Sequence, residues 1–124
     1  MILQKASVTK ALYETGAFAV VRVPTVERGC EIAEGLIRGG VHAMEISYTL
    51  PNAGEVIAGI KEKFGDQMIV GAGTVMEATT ARLAIMSGAE CYGMGSLLTK
   101  GTADEIAANA AQVRKIIDET RASM

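Results

Sequence analysis

The sequence predicts an α/β domain in which one leading helix precedes four βα units whose strands form a parallel sheet. Short apolar runs with β-branched residues alternate with longer stretches of helical spacing, the order that right-handed crossovers require. Three strand-to-helix junctions pair a capping residue with a glutamate three positions on. Fourteen glycines against two prolines supply turn points without helix breakers.

Residues 3–16 (LQKASVTKALYETG) predict a short helix closed by Gly16, a residue suited to a left-handed terminus. The run AFAVVRV, residues 17–23, lies between Gly16 and Pro24 and reads as a strand buried on both faces. Over 25–38, Val26, Cys30, Ala33 and Ile37 keep helical spacing until the Gly39–Gly40 stop. AMEISYT (43–49) is the second strand, closed by Pro51. Asn52 with Glu55 opens the next helix, whose apolar stripe is Val56, Ile57, Ile60 and Phe64. MIVGAGT (68–74) is the third strand, and Thr74 with Glu77 predicts a capped helix carrying Leu83 and Met86 and ending at Gly88. ECYGMGS (90–96) is a fourth, less hydrophobic strand. Thr102 with Glu105 caps a long last helix bearing Ile106, Ala110, Val113 and Ile117.

At 124 residues the expectation is one domain over 1–124, well short of the ~250 residues typical of a complete eight-stranded βα barrel. A hydrophobic fraction of 49% and a charged fraction of 21% fit a folded soluble domain. An open doubly wound sheet and a run of consecutive barrel strands both satisfy the pattern. A net charge of −2 lacks the basic surplus that tracks a phosphate backbone, so no nucleic-acid partner is expected. No apolar run approaches 18 residues, which argues against a membrane span. The opening MILQKASVTK does not read as a signal peptide, and the sparse cysteines fit an expected cytoplasmic location. Cys30 and Cys91 are too few and too far apart for a disulfide framework or zinc cluster. Both are expected as small buried thiols, and no metal or cofactor is implied. The seven methionines are expected as core filler.

In either parallel architecture ligands bind at the C-terminal strand ends. Those ends carry Arg22, then Glu45 with Ser47 and Thr49, then Gly71, Gly73 and Thr74, then Gly93, Gly95 and Ser96. Glu45 stands among apolar neighbours, where an isolated carboxylate needs a raised pKa or a partner. It is either a general acid/base or a structural partner of Arg22 on the neighbouring strand. Arg22 offers a planar fork to a carboxylate or phosphate, or reaches solvent. GAGT (71–74) brings backbone close to something small, with Thr74 as a hydroxyl or as a plain helix cap. GMGS (93–96) exposes amides as a phosphate nest does. His42, before the second strand, is away from these ends and is read as structural.

Residues about 10–90, with the motifs V-V-R-V, M-E-I-S-Y-T-L-P-N-A and G-A-G-T-V, closely resemble the first part of the 2-keto-3-deoxy-6-phosphogluconate / 4-hydroxy-2-oxoglutarate aldolase family. The stretch YGMGSLLTKGTADEIAANAAQVRKIIDETR resembles that family's last strand and closing helix instead of the segment that should follow. The resemblance therefore implies a partial TIM barrel, a half-barrel in which three leading strands are joined directly to an eighth. The expected junction is the turn near 87–92.

The resemblance further implies a class I aldolase that releases pyruvate through a lysine Schiff base. Glu45 matches the proton-shuttling glutamate. Arg22, Thr49, Gly73 and Thr74 match substrate-binding positions, and Gly95 and Ser96 match part of a phosphate-binding turn. Thr49 stands where some members carry arginine. The V-K-L-F-P-type strand with its nucleophilic lysine has no counterpart, nor has the T-G-G strand. The lysines here are 5, 10, 61, 63, 100 and 115, and only Lys100 falls near a C-terminal strand end. The chain as written is accordingly expected to be inactive or very weak as an aldolase. A partial barrel exposes edges and an apolar interior, so self-association into a homodimer or higher oligomer is expected. The competing expectation is a non-catalytic, self-assembling fragment that keeps residual anion affinity.

Overall fold

The computed structural model describes residues 2–76, 78–94 and 96–124, apart from the side chains of residues 2–5, 78, 96 and 97. Its order is α1 (Ile2–Thr15), β1 (Ala19–Val21), α2 (Val26–Arg38), β2 (Ala43–Ser47), α3 (Ala53–Phe64), β3 (Ile69–Gly73), α4 (Ala78–Ser87), β4 (Cys91–Tyr92), α5 (Ser96–Thr99) and α6 (Ala103–Ala122). The four strands form one parallel sheet in the order β1-β2-β3-β4. The predicted leading helix and four βα units are therefore present, and the one-turn α5 is additional. β1 and β4 are shorter than predicted, at three and two residues. Each is an edge strand with a partner on one side only, so pairing stops sooner than the apolar run does.

Register assigns each residue to a face. Val20, Glu45, Gly71 and Cys91 stand in one row across the sheet, and Val21, Ile46, Ala72 and Tyr92 in the next. Because side chains alternate along a strand, these rows lie on opposite faces. The Val21 face packs under the helices: Val21, Met44, Ile46, Val70 and Ala72 join Cys30 and Ala33 of α2, Val56, Ile57 and Ile60 of α3, and Ala81 and Ala84 of α4. Gly29 lets α2 and α3 close up, since a Cβ there would stand 2.7 Å from Val56 Cγ1. The Glu45 face is covered only in part: α1 meets its N-terminal end through Leu12, where Ala43 and Ile69 are buried. Phe18 and Val20 remain 58% and 53% exposed.

Local signals explain most element ends. Thr25 Oγ1 accepts from the Arg28 amide at 3.1 Å and starts α2. Thr102 and Glu105 form the complete reciprocal cap of α6. Gly16, at φ +68°, ends α1 with its amide on Leu12 O at 3.1 Å.

Two predicted caps need correction. Asn52 makes no side-chain cap on α3, because its amide donates to Pro24 O. Thr74 lies four residues ahead of Ala78, the start of α4, and its predicted partner Glu77 lies outside the described residues.

The buried side of α4 is built mostly from small residues. Leu83 and Met86 are exposed, whereas Ala81, Ala84 and Ile85 are buried. Small side chains face the close neighbours here. Of the methionines, Met44 and Met68 are buried and Met94 packs against the core, while Met76, Met86 and Met124 are exposed. Cys30 is buried as expected, but Cys91 is exposed because β4 is an edge. Among the described residues no helix is long and apolar enough to cross a membrane.

Lys61 fastens the N-terminal ends of the strands. Its Nζ donates to Glu90 Oε1 at 2.6 Å, to Met68 O at 2.9 Å and to Gly65 O at 3.1 Å. Glu90 Oε1 also accepts from the Val70 amide at 3.3 Å. One cation thus joins the end of α3, the entry to β3 and the entry to β4. Replacing Lys61 by Met should leave Glu90 without its cation in a mostly buried place and cost about 2–3 kcal/mol. Urea unfolding checks this; a loss below about 0.5 kcal/mol would mean the pair is no more than a surface contact.

Candidate active site

The C-terminal ends of β2 and β3 bring four polar groups together on the open face. Glu45 is half-buried, and its carboxylate extends over backbone that carries no side chains. A Cβ on Gly73 would fall on Glu45 Oε1, and one on Gly93 would stand 3.0 Å from Glu45 Oε2. Gly73 thus does for β3 what only glycine can, giving the carboxylate room to lie flat across the sheet. Beneath Glu45 a cavity of about 120 Å³ is lined by Leu12 and Phe18 together with Ala43, Gly71 and Cys91.

Ser47, one pleat beyond Glu45 on the same face, is buried. Its Oγ donates to Thr49 Oγ1 at 3.2 Å and shares a hydrogen bond with Thr74 Oγ1 at 3.0 Å. Thr49 and Thr74 are themselves exposed. Thr74 sits at φ +55°, the single positive-φ non-glycine residue among those described. For a β-branched side chain this is a strained backbone, of the kind that collects at functional sites.

Alternation along β1 puts Arg22 on the Val20 side, the side of Glu45. Arg22 is exposed, and among the described residues no ion pair joins it to Glu45, so the structural-pair alternative is not what the geometry contains. Arg22, Glu45, Thr49, Gly73 and Thr74 therefore gather at one end of the sheet. Gly95 and the side chain of Ser96 lie outside the described residues. His42 is at the opposite end, its amide on Thr15 Oγ1 and its Nδ1 against Gln67 O, both at 2.9 Å. Among the described residues no cluster of His, Cys, Asp and Glu is suited to a metal ion.

Two neighbours escaped the sequence reading. Ser47 was visible as a strand-end residue, and alternation from Glu45 assigns its face, but not its role as a hub. Cys91 depends on register. Although the residue is exposed at the edge, its Sγ turns inward, 2.7 Å from where a Gly71 Cβ would be.

The profile of the KDPG and KHG aldolase family matches residues 8–117. The chain belongs to this family. A 2-dehydro-3-deoxy-phosphogluconate aldolase from Treponema pallidum is 33% identical over 84 residues, 68% of this chain and 40% of that protein. The 2-keto-3-deoxy-6-phospho-gluconate aldolase of Zymomonas mobilis superposes with a TM-score of 0.61 at 27% identity, covering 78% of this chain and 44% of its own. The KDPG aldolase of Legionella pneumophila, captured with pyruvate as a covalent carbinolamine, shares the fold, with a TM-score of 0.60 at 23% identity over 77% of this chain and 43% of its own. The chain spans less than half the length of these relatives. As an α/β sheet resembling the KDPG aldolase barrels, it is a partial version of that fold.

The Cys91 thiol reports the electrostatics of this face. Burial pushes it above its ordinary value of 9.0, the carboxylates of Glu90 and Glu45 push it further, and Arg121 opposes them. Negative neighbours disfavour the thiolate, so the alkylation rate by iodoacetamide should rise with a midpoint above pH 9, and Glu45→Gln should move that midpoint down. A midpoint at or below the ordinary value would place Cys91 away from both carboxylates.

Proposed function

We propose that this chain is a keto-acid-binding aldolase scaffold that is inactive or very weak at the family's cleavage reaction. That reaction cleaves 2-keto-3-deoxy-6-phosphogluconate or 4-hydroxy-2-oxoglutarate to pyruvate and an aldehyde through a Schiff base. The observation that carries the reading is the Glu45 carboxylate lying over glycine backbone beside the Thr49 and Thr74 hydroxyls. In this reading Glu45 moves protons, Arg22 and the threonines hold the carboxylate and keto oxygens, and Gly95 with Ser96 keeps part of a phosphate turn. No metal or organic cofactor takes part. The absence of pyruvate chemistry is supported by the lysines whose side chains are described, which leave out Lys5. Lys61 is committed to Glu90, Lys10 and Lys115 lie near Glu14 and Glu119, and Lys63 lies over Phe64. Lys100 is exposed after α5, outside the desolvated or cationic pocket that an amine nucleophile needs.

The same reading holds that family strands four to seven are missing at the turn near 87–92. That turn keeps helix-to-strand register: Gly88, at φ +108°, closes α4, and the Glu90 amide rejoins Val70 O at 2.8 Å. Borohydride reduction with pyruvate, read by intact mass, should give no adduct while a complete family member is labelled in parallel. A pyruvate-sized adduct on this chain would overturn the inactivity and make Lys100 the first residue to replace.

One observation favours a self-assembling scaffold as a second reading. The Glu45 face leaves Phe18 and Val20 in water, and both β1 and β4 have a free edge. Two copies, with β4 of each beside β1 of the other, would supply eight parallel strands and cover the open face. Sedimentation should give a homodimer that Val20→Lys converts to monomer. A wild-type monomer at high concentration would exclude this assembly.

A further inference from the structure

We propose that Ser47 is a positioning residue that ties Thr49 and Thr74 into a single hydroxyl chain with one free proton, which it offers to a ligand oxygen at the mouth of the sheet. The identity of that ligand as a small 2-keto acid rests on the function proposed above.

The argument is a count of protons. Three hydroxyls carry three protons and meet in two contacts, 3.2 and 3.0 Å long. Ser47 has one proton, so donating to Thr49 obliges it to accept from Thr74. Two protons are then used inside the chain, and the third, on Thr49, points outward. Reversing the chain moves the free proton to Thr74 and leaves Thr49 as an acceptor. In either direction the pair shows a ligand one donor and one set of lone pairs. Ser47 is buried, whereas both threonines are exposed, so Ser47 touches them and not solvent. The buried hub also accounts for Thr74, whose φ of +55° needs something to hold it. Chained hydroxyls polarise one another, which strengthens the outermost donor.

Methyl NMR of threonine-labelled chain, free and titrated with pyruvate, tests this on wild type, Ser47→Ala and Ser47→Thr. In the free wild type, Thr49 and Thr74 should each show the χ1 coupling of one rotamer, and both methyls should shift with pyruvate. Ser47→Ala should average both couplings and weaken pyruvate binding about 3- to 10-fold at an unchanged fold, as judged by the remaining threonine methyls. Ser47→Thr, which restores a hydroxyl, should recover both. Unchanged couplings and affinity in Ser47→Ala would overturn the positioning role while leaving the keto-acid reading intact. Failure of pyruvate to shift either methyl in wild type would instead overturn the ligand assignment, and the free-state couplings would still decide whether Ser47 positions the hydroxyls.

Discussion

A parallel sheet has no face to spare for water, and this sheet fills one of its two with helices and covers the other only in part. The Val21 face is filled by α2, α3 and α4, whose closely approaching backbones need Gly29 and the alanines of α4. The Glu45 face instead carries Val20, Cys91 and a row of glycines, with α1 reaching only its N-terminal end through Leu12. The open face is both where the polar groups gather and where apolar side chains remain in water. Site and exposed surface are therefore two consequences of the same one-sided burial.

The glycines of β3 make that face usable. With side chains at 71 and 73 the sheet would be a continuous apolar wall, and Glu45 would have to swing away from it. Without them the carboxylate lies across the strand toward β4, and the next polar group along β2, Ser47, meets the hydroxyl of Thr74 at the end of β3. The arrangement depends on register as much as on residue type. A slip of one residue between β2 and β3 would exchange Glu45 with a core-facing neighbour, Met44 or Ile46, and destroy the cluster.

The parts legible in the sequence were those that local rules determine. The strands at 43–47 and 69–73 stood out as short apolar runs, the first closed by Pro51, and α6 carried a full capping box with nothing competing for Thr102 or Glu105. Asn52 was misread because a tertiary partner, Pro24 O, outcompeted the local cap. Arg22, Glu45, Thr49, Gly73 and Thr74 were found as strand ends, since a parallel fold gathers them at one edge. Whether Arg22 paired with Glu45 was not legible. That depends on side-chain direction, and the structure leaves the guanidinium exposed and the carboxylate over glycine.

The central proposal is that this partial sheet holds a keto-acid site at its C-terminal end without a nucleophile. A crystal structure grown with pyruvate tests it most directly. The account predicts pyruvate held without a covalent bond against Arg22, Thr49 and Thr74, with Glu45 beside its carbonyl. Pyruvate joined to a lysine, or bound away from that end of the sheet, would contradict it.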